Sequence, residues 1–207
     1  MPWPATHILI AEKVYDQYFS HLDRKDFLLG TSFPDIRYPA KLNRHQTHLP
    51  NRSLQEIQSQ NAFTAGMMFH SFVDKLWNVY IDKDRPSLLS AFPWNIPMLH
   101  TMKVLQDVFL YDRYKEWLKI AQYFSTILPE ESHFGAGGQM IVRWHDVLAY
   151  YLSKPPTIDD LEMLHISLPS EVIEEIRRYY LAYQENAALK SSMTGFYNQI
   201  VILIENA

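Results

Sequence analysis

At 207 residues the chain is the size of one globular domain and long enough to bury a core without covalent staples. Apolar residues at 47% and aromatics at 14% exclude a disordered chain, and the lack of cysteine excludes disulfides, thiolate zinc sites and iron–sulfur clusters. A net charge of −4, with basic residues only in scattered pairs such as Arg177-Arg178, excludes a duplex-DNA binder that needs a phosphate-neutralising stripe.

The opening Met1-Pro2-Trp3-Pro4-Ala5-Thr6-His7 has neither a basic region nor a small-residue cleavage site, and Glu12 and Lys13 interrupt the apolar run behind it, so no secretion signal is expected. No apolar run approaches the roughly 18 residues of a membrane span, which makes the cytoplasm the expected location. Thr6 reads as the N-cap of a first helix to about Phe19, with Ile8, Val14, Tyr15 and Tyr18 recurring on one side. Asp23 to Leu29 reads as a short helix ended at Gly30, whose missing side chain permits a tight exit. Thr31 to Pro50 holds three of the twelve prolines and reads as a long ordered loop of the kind that usually carries function.

A buried helix is expected from about Asn61 to Tyr80, then a segment broken by Pro86, Pro93 and Pro97. A long helix follows from Pro97, at its first turn, to Ile127. Gly135 to Gly138 is a break, followed by a helix to about Lys154, and Pro155-Pro156 is another. Ile158 to His165 reads as a short helix, and Pro169 to about Asn206 as one or two long ones. With no alternating strand and no internal repeat, the expected architecture is all-α: a single-domain multi-helix bundle over 1–207. Its first 80 residues carry the chemistry, and 97–207 supply long packing helices.

Histidine and acidic residues stand out early: His7, Asp35, His45, His48, His70 and Asp74. His70 and Asp74 are four apart in an apolar helical stretch, so their Cβ atoms lie about 6 Å apart on one face. Zinc takes imidazole nitrogen and carboxylate oxygen at roughly 2.0–2.2 Å, so this pair can close on one ion without bending the backbone. Alone, a histidine on an apolar face is more often a satisfied core residue. Asp35 follows Pro34 in F-L-L-G-T-S-F-P-D-I, where Pro-Asp is by itself only a turn. His45 and His48 lie in R-H-Q-T-H-L-P, and loop histidines are more often solvated than ligating.

Taken together, the pattern resembles the zinc-dependent phospholipase C family, whose wider superfamily includes single-strand-specific nucleases. The residues that carry the resemblance are Thr6-His7, Phe27-x2-Gly30-x3-Pro34-Asp35, the loop His48 and Ala65-Gly66-x3-His70-x3-Asp74. They span about the first 80 residues. The resemblance implies a phospholipase C-like helical fold in which Asp35, His48, His70 and Asp74 surround one metal. His7 would serve a second ion, with Asp74 as the bridge. It also implies hydrolysis of a phosphoester, whether lipid headgroup, nucleotide or small phosphoester, with Asp35 both ligand and general base and with one to two zinc ions bound.

The chain departs from that pattern in two places. The family's N-terminal tryptophan amine is a ligand, whereas here Trp3 follows Met1-Pro2 and processing of the initiator would expose Pro2. No histidine stands shortly after the His-x3-Asp helix, around Tyr80, and His100 is followed four residues on by Val104 rather than an acid. His100 with Asp107, seven apart, is the remaining option for a further ion. One site is thus expected nearly complete, a second partial and a third lost. The rival reading is a phospholipase C-like helical fold with degenerate metal sites that acts as a binding or scaffold module.

Trp144-His145-Asp146 is similar to the His-Asp doublet of metal phosphohydrolases, but its required partners, drawn from His133 and Asp159 or Asp160, stand at the wrong intervals. His145 is therefore read as a helix-surface or packing residue. The Gly135-x-Gly137-Gly138 segment has no following Lys-Ser/Thr and is not a phosphate loop. His21 and His165 support no site assignment. The indoles Trp77, Trp94, Trp117 and Trp144 are read as core, with the lining of a lipid or base pocket as a second use.

Overall fold

The computed structural model describes residues 3–50, 53–89, 92–164 and 168–207, apart from the side chains of 84–87 and 89. Its helices are α1 (Pro4–Tyr18), α2 (Arg24–Ser32), α3 (Arg37–Ala40), α4 (Arg44–Thr47), α5 (Leu54–Gln58), α6 (Ala62–Leu89), α7 (Ile96–Leu110), α8 (Trp117–Tyr123), α9 (Gly138–Leu152), α10 (Leu161–Leu164), α11 (Ser170–Tyr183) and α12 (Ala187–Glu205). No strand occurs among the described residues, so the all-α expectation holds. No described helix is long and apolar enough to cross a membrane.

The centre of the molecule is α6, which lies against α2 on one side and α12 on another. The α2–α6 crossing is built by two glycines. A Cβ on Gly66 would sit 2.1 Å from the Phe27 carbonyl oxygen and 2.6 Å from the Thr31 nitrogen, and one on Gly30 would sit 2.0 Å from the Phe63 oxygen. The two backbones therefore touch where side chains would otherwise hold them apart. Around this contact Phe19 stacks on Phe27 at 4.5 Å and meets Phe69 edge-on at 5.2 Å. Burying each such ring is worth about 1.5–3 kcal/mol.

A second junction ties α7 to the start of α1. The N-cap residue Trp3 offers no side-chain bond to the free amides of the first turn, and Asp107 of α7 supplies it from a distance. Its carboxylate accepts from Ala5 N (3.1 Å), Thr6 N (2.8 Å), Thr6 Oγ1 (2.5 Å) and Tyr151 Oη (2.8 Å). This is the job of an N-cap, done by a residue far along the chain. Thr6 is thus not the cap; the helix starts at Pro4. Gln106, beside Asp107, accepts from Trp77 Nε1 (3.1 Å) and donates to the Met193 carbonyl (3.2 Å), which joins α6, α7 and α12.

Other expected boundaries also move. Gly30 does not end α2, which runs on to Ser32 from an Asp23 cap that accepts from Asp26 N at 2.9 Å. The segment expected as a loop from Thr31 to Pro50 holds a 3-10 turn at Phe33–Ile36 and the short helices α3 and α4. Lys41, in the left-handed region at φ 54°, stops α3, and Gln46 Oε1 accepts from Asn43 N at 2.8 Å to start α4. Pieces of four residues are too short to show a periodicity. Pro86 does not end α6, whose last turn is fixed by the buried Leu88.

The long helix expected from Pro97 to Ile127 breaks after Leu110. The indole N–H of Trp117 donates to the Tyr111 carbonyl at 2.7 Å, and its ring stacks on Tyr111 at 4.9 Å. Tyr114 is extended at that point, at φ −126° and ψ 142°. The Tyr111 carbonyl is thereby shared between the indole and the Tyr114 N–H (3.3 Å), which closes a 3-10 turn in place of the next α-helical one. The C-terminal stretch is two helices, α11 and α12, and His165 lies outside the described residues.

The glycine crossing yields a test. Replacing Gly66 with alanine forces a Cβ against backbone atoms that cannot rotate away, and should destabilise the protein by about 3 kcal/mol or more in chemical denaturation. A loss below about 1 kcal/mol would show that the helices are free to separate.

Candidate metal centre

Four elements converge on one end of the α2–α6 crossing. His7 comes from the first turns of α1, Asp35 from the 3-10 turn, His48 from the end of α4, and His70 with Asp74 from α6. All five are buried, with exposures of 1%, 7%, 8%, 1% and 2% in that order. The glycine contact places Gly30 and Gly66 side by side, and Asp35 and His70 lie five and four residues on from them. The spacing in Gly-x3-Pro-Asp and Gly-x3-His-x3-Asp is thus a distance to a shared contact point.

The donor atoms face one another. Asp74 Oδ1 lies 3.3 Å from His7 Nε2, and Asp74 Oδ2 lies 3.5 Å from His48 Nε2 and 3.9 Å from His70 Nε2. His70 Nε2 is 4.0 Å from Asp35 Oδ1. Donors held at ~2.1 Å around a tetrahedral ion stand ~3.4 Å apart, so these separations could admit an ion with small adjustments. Two subsets bring their ligand atoms within 4.8 Å of one another: His7, His70 and Asp74, and Asp35, His48 and His70.

Hydrogen bonding fixes which nitrogens are available. His70 Nδ1 stands 2.9 Å from the Thr31 carbonyl, which can only accept, so Nδ1 carries the proton. Thr47 Oγ1 donates to the Pro34 carbonyl at 2.9 Å and so accepts from His48 Nδ1 at 3.2 Å. Both imidazoles therefore turn an Nε2 lone pair into the cluster, which is how outer partners prepare ligating histidines. His7 stacks face to face on His70, with centroids 3.8 Å apart, and stacking leaves its in-plane lone pairs open.

The cluster atoms are buried without hydrogen bonds: both nitrogens of His7, Nε2 of His48 and His70, and Oδ1 of Asp35 and Asp74. The 3.3 Å approach of His7 to Asp74 lacks the alignment of a hydrogen bond. Leaving such a group unpaired costs about 1–3 kcal/mol each. A cation between them would satisfy the set together. The buried His145 shows the contrast, with Nδ1 3.0 Å from the Phe124 carbonyl and Nε2 2.7 Å from Glu131 Oε2. It is a packing residue, and its neighbour Asp146 points to solvent.

Electrostatics favour neutral imidazoles here. Burial, helped by the charge of His70, pulls His7 down to about 4. Burial, then His70 and Arg44, pulls His48 down to about 2. Burial alone would raise Asp74, but His70 and His7 hold it well below the usual carboxylate range. Neutral imidazole and ionised carboxylate are the forms that bind a metal. Burial, with Asp35 next, pushes the Tyr38 phenol up to about 12.

Of the positions expected from sequence, His7, Asp35, His48, His70 and Asp74 come together. His45 is exposed. His100 falls outside both subsets and lines a neighbouring cavity on α7, while Asp107, its suggested companion, is consumed in capping α1. The division of labour also shifts: His70 belongs to both subsets. A single Nε2 lone pair serves one ion, so a second ion would rely on bridging carboxylates, and Asp74 turns Oδ1 to His7 and Oδ2 to His48.

Sequence reasoning missed Arg44, whose Nη2 donates to Asp74 Oδ2 at 2.7 Å from a half-exposed position. It also missed the supporting roles of Thr31 and Thr47. Arg44 and His48 are four apart, a helical spacing concealed by reading this segment as a loop. Above the cluster a cavity of about 360 Å³ opens between Arg44, His48, Ser71, Asp74, Lys75 and Asn78.

Comparison with known proteins gave no match to a family model, a curated protein or a solved structure. The fold and site by themselves define an all-helical protein with a buried histidine–aspartate cluster that could hold a metal ion.

The pKa displacements set a pH dependence for the metal-free protein. With His7 and His48 at about 4 and 2 when folded but near 6.5 when unfolded, the unfolded chain binds the extra protons between these values. Stability is then full above pH 6.5 and is lost as pH falls toward 4. Burial lowers His100 to about 3 and so adds a third histidine, while Asp107, pushed by burial up to about 6, opposes with one proton. The net of about two protons predicts a fall of roughly 2–3 kcal/mol per pH unit on acidification in denaturant titrations, about halved by His48→Asn. A stability that rises from pH 6.5 to 4.5 would contradict it.

Proposed function

We propose that this protein is a zinc-dependent phosphoester hydrolase with a phospholipase C-like helical fold, binding one or two ions at His7, Asp35, His48, His70 and Asp74. The observation that carries the reading is the set of buried, unpaired donors whose lone pairs point at one another. An imidazole and carboxylate set without thiolate suits zinc. Bound there, zinc would make a water more acidic and draw charge from a phosphoryl oxygen.

The chain's own residues supply the rest. Asp35 Oδ1 has no hydrogen-bond partner, so it is free to accept the proton of an attacking water. The backbone carbonyl of Thr31 holds His70 in the ligating tautomer. Arg44 neutralises Asp74 in the structure as it stands and faces the same cavity as Lys75 and Asn78. A guanidinium released from Asp74 by an incoming cation would meet the oxygens of a phosphoester entering that cavity.

The Arg44–Asp74 pair also supports the second reading. It satisfies one carboxylate oxygen without any metal, as a binding or scaffold module that kept the fold would require. Titrating chelated protein with zinc while following cleavage of an aryl phosphodiester separates the two. Cleavage should be modest and saturate at about one or two equivalents, because the donors among the described residues fall into two overlapping groups. A requirement for about three equivalents would overturn the site assignment, and no cleavage at full occupancy would favour the binding module.

A further inference from the structure

A second cavity, of about 480 Å³, opens beside α7. Trp77, Ile81, Trp94, Ile96 and Leu99 form apolar walls, and Gln106 engages the Trp77 N–H at 3.1 Å, so that indole offers ring surface. Asp82 and Ile96 are exposed, which places the mouth of the cavity at the surface. Into this space α7 brings Lys103, on the face it shares with His100 one turn earlier. Lys103 is half-buried and has no hydrogen bond or ion pair among the described residues. Its Nζ is not sealed off by protein, so the amine opens on the cavity.

An amine so placed leans toward its neutral, nucleophilic form. Burial pushes Lys103 below its ordinary value. Asp35 and Asp74 pull it up and Arg37 and Arg44 push it down, so the surrounding charges oppose one another. A lysine desolvated by an apolar pocket keeps its lone pair and adds to carbonyl carbon. The walls select what reaches it. Each Å² of apolar ligand surface they remove from water is worth about 25 cal/mol. The volume falls within the roughly 300–1,000 Å³ of small-molecule sites.

We propose that Lys103 forms a reversible imine with an apolar aldehyde or ketone seated between these walls. The Nζ lone pair attacks the carbonyl carbon, and the C–N bond forms as the π electrons move to oxygen. Proton transfer from nitrogen to oxygen through solvent gives a carbinolamine. The C–O bond then breaks, and the oxygen leaves as water with both amine hydrogens, which leaves a C=N bond. Addition of water reverses the sequence and frees the ligand. No oxidant or reductant takes part. The site uses no residue of the metal cluster and does not rest on the hydrolase reading.

The test treats full-length protein with limiting benzaldehyde and cyanoborohydride, which reduces an imine to a stable benzylamine, and locates the benzyl group by peptide mass mapping. Lys103 should be labelled at least about tenfold faster than exposed lysines such as Lys41, Lys115 and Lys190. Benzyl alcohol, which fills the same walls without a carbonyl, should slow that labelling. Acetaldehyde, too small to cover the walls, should show no preference for Lys103. Lys103→Met and Lys103→Arg should both abolish the fast labelling, because arginine keeps the charge but offers no imine-forming amine. Label spread evenly over the exposed lysines, or none at Lys103, would overturn the proposal, as would acetaldehyde with the same preference as benzaldehyde. Saturable binding of benzoate that Lys103→Arg retains, with no adduct at Lys103, would also overturn it and make the cavity a site for organic anions. The mapping is read on unaltered protein and needs no variant to fold.

Discussion

Backbone contact between α2 and α6, permitted only because Gly30 and Gly66 carry no side chain, is the constraint on which the rest of the molecule depends. It brings the 3-10 turn with Asp35 beside the helix that carries His70 and Asp74. The same contact holds the Thr31 carbonyl at 2.9 Å from His70 Nδ1 and so selects its tautomer. The remaining pieces have one task, to bring His7 and His48 to the same point. Asp107 does this for His7 by capping the first turn of α1, and Thr47 does it for His48 by bonding to Pro34. Packing, capping and tautomer choice thus converge on one volume of a few ångströms.

That volume is energetically anomalous by the standards of the rest of the protein. Other fully buried ionisable groups are satisfied: Asp107 has four donors, and Glu131 accepts from His145. Among the described residues, the cluster is where several buried donors without hydrogen bonds lie together. Folding tolerates such a collection when function or a ligand compensates for it. Arg44 compensates in part from the rim, which makes Asp74 the point at which a protein cation and an incoming ion compete.

Much of this was legible in the sequence, and for a physical reason. Helical spacing identifies His70 and Asp74 as one face, whereas His7, Asp35 and His48 could be named only through the family resemblance, since type and interval alone favour a turn and solvated histidines there. Gly30 was legible only as a position, because its role as contact rather than terminator depends on the partner helix. His100 shared the residue type but not the location, since α7 turns it toward the indole-lined cavity. Arg44, Asp107 and the Trp117–Tyr111 bond were beyond reach because each acts through a partner that sequence does not pair with it. Short helices such as α3 and α4 leave no periodic trace.

The central claim is that the orphaned donors are metal ligands. X-ray absorption at the zinc edge, on chelated protein re-equilibrated with zinc by dialysis, examines it most directly. The account predicts about one to two retained equivalents with nitrogen and oxygen neighbours at roughly 2.0–2.2 Å and the outer-shell scattering of imidazole rings. Protein that retains no zinc, or retains it with no imidazole scattering, would contradict the account.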